Sequence, residues 1–147
     1  MRRVYVLVFI EHHTLRLHSA GITAYPDGAW SAQRARQFAM VMWQWLENMR
    51  FLIRDRGGQF AEEFDAVFES CGLRIIRSPP QAARANAICE RVIGTLRGEL
   101  LDHVLIVNEA HLRAVLTEYV AHYNAARRTR ASPSAAPRTT STVRPPP

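Results

Sequence analysis

Two carboxylates, Asp55 and Glu90, are the residues in this sequence whose types and settings point to chemistry. Asp55 follows the short apolar or long-stemmed run Phe51–Arg54 and precedes Arg56 and the pair Gly57–Gly58, a turn that small residues make easily. A carboxylate at the carboxyl end of a sheet strand, beside a glycine turn, stands where open α/β folds put their chemistry. Taken alone it is more often a turn or capping residue. Glu90 lies in ANAICERVI, where Asn86, four positions earlier, falls on the same helix face. Arg97 falls on that side two turns later. An acid in a first helical turn is, by itself, a favourable partner of the helix dipole. The pair is worth more than either member. A helix, a strand and a Pro-containing loop separate the two acids, so both can arrive at one edge of a sheet. Phosphodiester chemistry brings carboxylates together in this way to hold Mg²⁺ ions about 3.5–4 Å apart. Mg²⁺ takes hard oxygen ligands and keeps several waters, so few protein carboxylates suffice.

The elements that must position these acids follow from periodicity. Val4–Ile10 is a continuous apolar run and reads as a buried strand. Leu15–Thr23 alternates in the period of a half-exposed strand, giving an antiparallel hairpin across the turn Glu11–Thr14. Trp30–Met49 carries Ala35, Phe38, Met42, Trp45 and Met49 on one helical face, with Trp43 off it. The strand Phe51–Arg54 is followed by a helix over Phe60–Cys71 with Phe64, Val67 and Phe68 on one side and Gly72 as its C-cap. Leu73–Arg77 is a further buried strand, and Ser78 to Asn86 a loop that contains Arg84. A helix over Ala87–Val104 then places Ile88, Val92, Leu96 and Leu100 at intervals of four, and Ala110–Tyr123 is the last helix. The order is that of an α/β domain with an antiparallel beginning.

Composition narrows the partners. All 19 basic residues of the 147 are Arg, and the net charge of +6 favours a polyanion, nucleic acid first. Part of that surplus falls after Ala125, where Arg, Ser, Thr, Ala and Pro dominate and a disordered tail is expected. The core is thus expected over 1–124 and the tail over 125–147. Cys71 and Cys89 lack metal-site spacing and read as free thiols of a cytoplasmic protein. The apolar start is too short and too poorly flanked for a signal peptide, and no stretch spans a membrane. Walker loop, dinucleotide fingerprint and nucleophile elbow are all absent.

FLIRDRGGQF, IIRSPPQAARANAICERVIGTLRGELLDH and LTEYVAHYNAARR resemble the integrase catalytic core of insertion-sequence transposases, the DDE group related to retroviral integrases. The resemblance runs from about Val4 to Arg128 and rests on three motifs. These are Asp-x-Gly-x-x-Phe, a Pro-containing loop leading to Asn-x-x-x-Glu-Arg, and a late Tyr-Asn. It implies an RNase H-like mixed sheet with flanking helices, and DNA cleavage and strand transfer that depend on Mg²⁺ or Mn²⁺. By motif, Asp55 matches the second acid and Glu90 the third, both as metal ligands. Asn86 and Arg91 match supporting positions, and Arg84 and Arg97 are the DNA-contacting candidates. Family members work on paired DNA ends as oligomers, so a homo-oligomer, or a hetero-oligomer with an intact transposase, is implied.

The family's first acid lies in a strand that precedes the hairpin, and Met1 falls where that strand's turn would be. The chain therefore reads as a core without its first strand, binding metal weakly and inactive alone, with Glu11 a poor substitute for the absent acid. Two sheet edges, Val4–Ile10 and Phe51–Arg54, then lose their shared partner. Either they pair directly or the product is marginal. The rival expectations are an in-frame upstream strand, giving a full enzyme, and a non-catalytic DNA-binding or inhibitory partner of an intact transposase.

Overall fold

The computed structural model describes residues 3–77, 87–128 and 139–144. Strand β1 (Tyr5–Glu11) is buried from its second residue onward, as a continuous apolar run demands when both faces of a sheet are covered. It pairs antiparallel with β2 (Leu17–Thr23), with a register shift between Leu7 and Val8. Helix α1 (Gly28–Val41) starts where the Asp27 carboxylate accepts the Trp30 N–H at 2.7 Å. It ends at Met42, and a short α2 (Trp43–Leu46) turns the chain into β3 (Met49–Arg54). The single helix expected over Trp30–Met49 is therefore broken. Leu46 and Met49 are both buried, and a straight helix would leave no chain between them to enter the strand. Trp43, off the apolar stripe, is exposed.

Helix α3 (Glu62–Ser70) closes with Gly72 at φ +89, the Gly72 N–H on the Glu69 carbonyl and the Leu73 N–H on that of Phe68. This paired capping arrangement needs the left-handed conformation that glycine adopts without strain. Strand β4 (Arg74–Arg77) then lies parallel to β3. Helix α4 (Ala87–Leu96) gives way to a π-helical turn, Arg97–Leu101, in which the Asp102 N–H reaches back five residues to the Arg97 carbonyl. Helix α5 (Glu109–Arg128) runs past the expected boundary at Asn124.

The main departure from the sequence reading is β5 (Thr139–Arg144), which lies inside the expected disordered tail. The sheet order is β2-β1-β5-β3-β4, so the last strand of the chain is the middle strand of the sheet. It runs antiparallel to β1 and parallel to β3. β1 and β3 therefore do not pair directly, as one of the two expectations for their edges had it; β5 fills the place between them. Unpaired N–H and C=O rows on two buried strands are costly enough to recruit a polar but β-branched segment, Thr-Thr-Ser-Thr-Val-Arg.

The sheet separates two cores. On one face Val8 and Ile10 of β1 pack with Leu17, Val92, Leu96 and Leu116 from β2, α4 and α5. On the other, Leu7 and Phe9 meet Phe38, Leu52, Phe64 and Phe68 from α1, β3 and α3. Phe9 stacks on Phe38 with ring centroids 4.1 Å apart. His18 of β2 sits at the edge of this second face, its centroid 4.7 Å from that of Trp45. Burial, aided by Arg16, lowers its pKa to about 4. A lowered folded-state pKa means that the unfolded chain takes up the proton first. Stability is thus fully present above about pH 6.5 and falls as pH drops towards 4, by on the order of 3 kcal/mol. Thermal melts across that window should show the fall, and His18→Phe should remove most of it.

Asn124, from the late Tyr-Asn motif, clamps α5 to the start of β2. Its Oδ1 accepts the Leu17 N–H at 2.9 Å and its Nδ2 donates to the Leu17 carbonyl at 2.8 Å. The amide completes a backbone ladder at the sheet's edge. Asn124→Ala leaves both Leu17 groups short of a partner, and urea denaturation should read a loss of about 1–3 kcal/mol.

Candidate functional site

Asp55 emerges at the carboxyl end of β3, half-buried, where the ladder with β4 and β5 stops at Arg54. Residues Phe51, Ile53 and Asp55 alternate with the buried Leu52 and Arg54. The strand period of two therefore gives Asp55 the sheet face opposite the Leu52 core, the face covered by α4 and α5. Its carboxylate Oδ1 accepts the Gly57 N–H at 2.9 Å, an Asx turn, so the turn role expected of a strand-ending Asp is present. The Gly57 Cα is crowded too. A Cβ there would meet the Gln59 side-chain amide, so Gln59 would have to move aside to admit one.

The support beneath Asp55 is a buried ion pair that the sequence reading did not find. Arg54 donates from Nε to Asp65 Oδ1 at 2.7 Å and from Nη2 to Oδ2 at 2.8 Å, with both residues 4 % exposed. Its remaining terminal nitrogen, Nη1, donates to the Asp55 carbonyl at 2.7 Å. The guanidinium also lies 5.4 Å from the Phe60 ring centroid, so the glycine turn closes over it. Arg77 adds a longer contact to Asp65, at 3.3 Å, from a largely exposed side chain. The signal was available: Asp65 sits between Phe64 and Phe68 on a helix face that is otherwise apolar, and a buried acid there requires a cation.

Glu90 is exposed on the first turn of α4, whose Cys89, Val92, Ile93 and Leu96 are buried. Cys89 is therefore buried, while Cys71 is only partly buried. Asp55 and Glu90 thus belong to the same side of the sheet. Asn86 and Arg84 lie outside the described residues. Arg91 is exposed and lines a groove of about 400 Å³ between α4 and α5, with Glu99, Tyr119, Tyr123 and Arg127. Tyr119 donates to Glu99 at 2.8 Å, and burial together with that carboxylate raises its pKa. Arg97 is exposed at the start of the π-helical turn.

Glu11 is placed away from this face. It is buried at the end of β1, and its Oε2 accepts the Trp45 indole N–H at 3.0 Å. Trp45 packs against the α1–α3 core, so the Glu11 carboxylate serves the opposite side of the sheet from Glu90. Among the described residues no three His, Cys, Asp or Glu come together as metal ligands. Asp55 and Glu90 supply hard oxygen donors of the right kind, but two carboxylates alone do not make a bridged two-metal centre.

A family model described as the integrase core domain matches residues 71–137. The matched stretch covers β4, α4 and α5, and includes Glu90, Arg91 and Arg97; Asp55 precedes it. No curated protein and no solved structure matches the chain. No helix among the described residues is long and apolar enough to cross a membrane. The match marks the chain as integrase- or transposase-core-like, a class for which DNA is the expected partner.

Proposed function

We propose that this integrase-core-like chain acts on DNA in transposition or integration, with an RNase H-like sheet and with Asp55 and Glu90 as its two carboxylates. The observation that carries the reading is their common side of one sheet. Asp55 stands at a strand's carboxyl end, and Glu90 opens the helix that covers that face. Gly57 and Arg54 fix the Asp55 backbone and one carboxylate oxygen, so this acid is held before any substrate arrives. Arg91 and Arg97, exposed on and just after α4, offer cations to phosphates on the same side.

Mg²⁺ or Mn²⁺ is the metal such carboxylates would share in this chemistry. The described residues fall short of a full set of ligands, so the reading assigns the isolated chain weak metal binding and DNA binding without cleavage. A fluorescent transposon-end duplex tests both halves. Log K should fall by about 0.9 per log unit of salt for each phosphate contacted. Asp55→Asn and Glu90→Gln should bind as well as the parent or better, having lost negative charge near phosphate. A salt-independent signal would sink the DNA reading. Metal-dependent cleavage lost on Glu90→Gln would sink the claim that the chain alone is inactive.

A further inference from the structure

We infer that the slot between β1 and β3 is a strand-acceptor site that exchanges its own occupant, Thr139–Arg144, for an extended aliphatic segment of a second polypeptide. The slot is built without β5. One wall is β1, held by the hairpin with β2 from residues 5–23, and the other is β3, held by β4 from residues 49–77. Each wall is a contiguous stretch of sequence, and among the described residues the two walls share no ladder. β5 arrives from the far end of the chain, after α5. It runs antiparallel to one wall and parallel to the other, which fixes the direction of any strand that replaces it.

The occupant is poorly matched to its place. A middle strand of a sheet covered on both faces reads, as a rule, as a near-continuous Val, Ile or Leu run. β5 has one such residue in Thr-Thr-Ser-Thr-Val-Arg. Thr142 stands opposite Ile10 of β1 and Ile53 of β3; Ser141 stands opposite Glu11 and Leu52. A segment that carries Val or Ile at the positions of 140 to 142 as well as 143 adds apolar surface at the three places where β5 has Thr, Ser and Thr, while keeping both ladders. Uptake of such a segment is strand addition of the kind that gives affinity through main-chain hydrogen bonds and specificity through alternate side chains. The last position adds chemistry, and this clause rests on the proposed function. Arg144 follows the pair Arg54–Val143, at the level where β3 runs into Asp55. The chain's own segment brings a cation to that level, whereas a donor with Asp there brings a third carboxylate beside Asp55.

The test uses the full chain and two labelled peptides that carry Val-Ile-Val-Ile-Val at the positions of 139–143, followed by Asp or by Asn. Anisotropy should show both peptides binding, with amide exchange of Thr139–Arg144 rising as they bind. Thr142→Pro, which weakens the resident strand, should tighten binding at least tenfold. Thr142→Val, which strengthens it, should weaken binding several-fold. Should Thr142→Pro fail to fold, the parent and Thr142→Val still define the comparison. Binding that ignores Thr142→Val, or none up to millimolar peptide, overturns the proposal. So does a concentration-dependent dimer that exchanges Thr139–Arg144 between copies in preference to peptide. Metal-dependent DNA cleavage with the Asp peptide and not the Asn peptide supports completion of the acid set. Binding without cleavage overturns the catalytic reading and leaves strand uptake standing.

Discussion

Asp65→Ala should cost this protein about 3–5 kcal/mol, because it strands the Arg54 guanidinium in the core without its partner. Arg54 is 4 % exposed and makes both of its short ionic contacts to the one carboxylate. A bidentate pair of this geometry holds well, but most of the loss on truncation comes from leaving a buried charge unmatched. Arg77 offers little relief, since its contact to Asp65 disappears with the same substitution and its side chain is mostly in water. Against a typical stability of roughly 5–15 kcal/mol, the change is enough to bring the folded state near its limit. Asp65→Asn should cost less, since an amide keeps one acceptor for the guanidinium.

The double replacement Arg54→Met, Asp65→Leu separates fold from site. Exchanging both ions for apolar groups removes the desolvation penalty, so stability should return to within about 1–2 kcal/mol of the parent. The Nη1 bond to the Asp55 carbonyl is lost all the same. A folded protein with a loosened Asp55 backbone should then show faster amide exchange through residues 55–57. Urea denaturation of the two single variants and the double gives the coupling energy. If Asp65→Ala melts within about 0.5 kcal/mol of the parent, the pair does not exist as described.

Much of the scaffold was legible because it obeys simple periods. Val4–Ile10 announced a buried strand by being apolar throughout, and Gly72 announced a helix stop by standing where only a left-handed residue fits. The positions of Asp55 and Glu90 in the fold follow from periodicity, since one comes directly after β3 and the other lies in the first turn of α4. What escaped was whatever depends on partners distant in sequence. Arg54 looked like the long-stemmed end of a strand, and Asp65 like a charge on a helix; only the fold shows that they meet. Glu11 looked like an acid at a strand end, and its use as an acceptor for Trp45 could not be read from either residue. β5 was the hardest case. Its six residues have the polarity of a tail, and what makes them a strand is the pair of open ladders on either side.

Thr142→Pro should unfold the chain or lower its stability by at least about 2–3 kcal/mol, whereas Thr142→Val should leave it unchanged or raise it. The position stands in register with Ile10 on one side and Ile53 on the other, away from either end of both ladders. Proline there removes a backbone donor, and proline is tolerated in sheets essentially only at edges and bulges. The loss of one hydrogen bond amid covered strands leaves an acceptor unmatched, at about 1–3 kcal/mol, before any distortion of the two ladders is counted. Valine keeps the backbone bonds and the β-branch of threonine, and exchanges a hydroxyl for a methyl at a position in register with Ile10 and Ile53. A tail in solvent would respond to neither change. The same pair of substitutions in a segment outside the sheet alters stability by no more than about 0.5 kcal/mol. Urea midpoints for the two variants therefore decide whether residues 139–144 hold β1 and β3 together. Opposite responses identify a middle strand, and two flat ones return the segment to the tail.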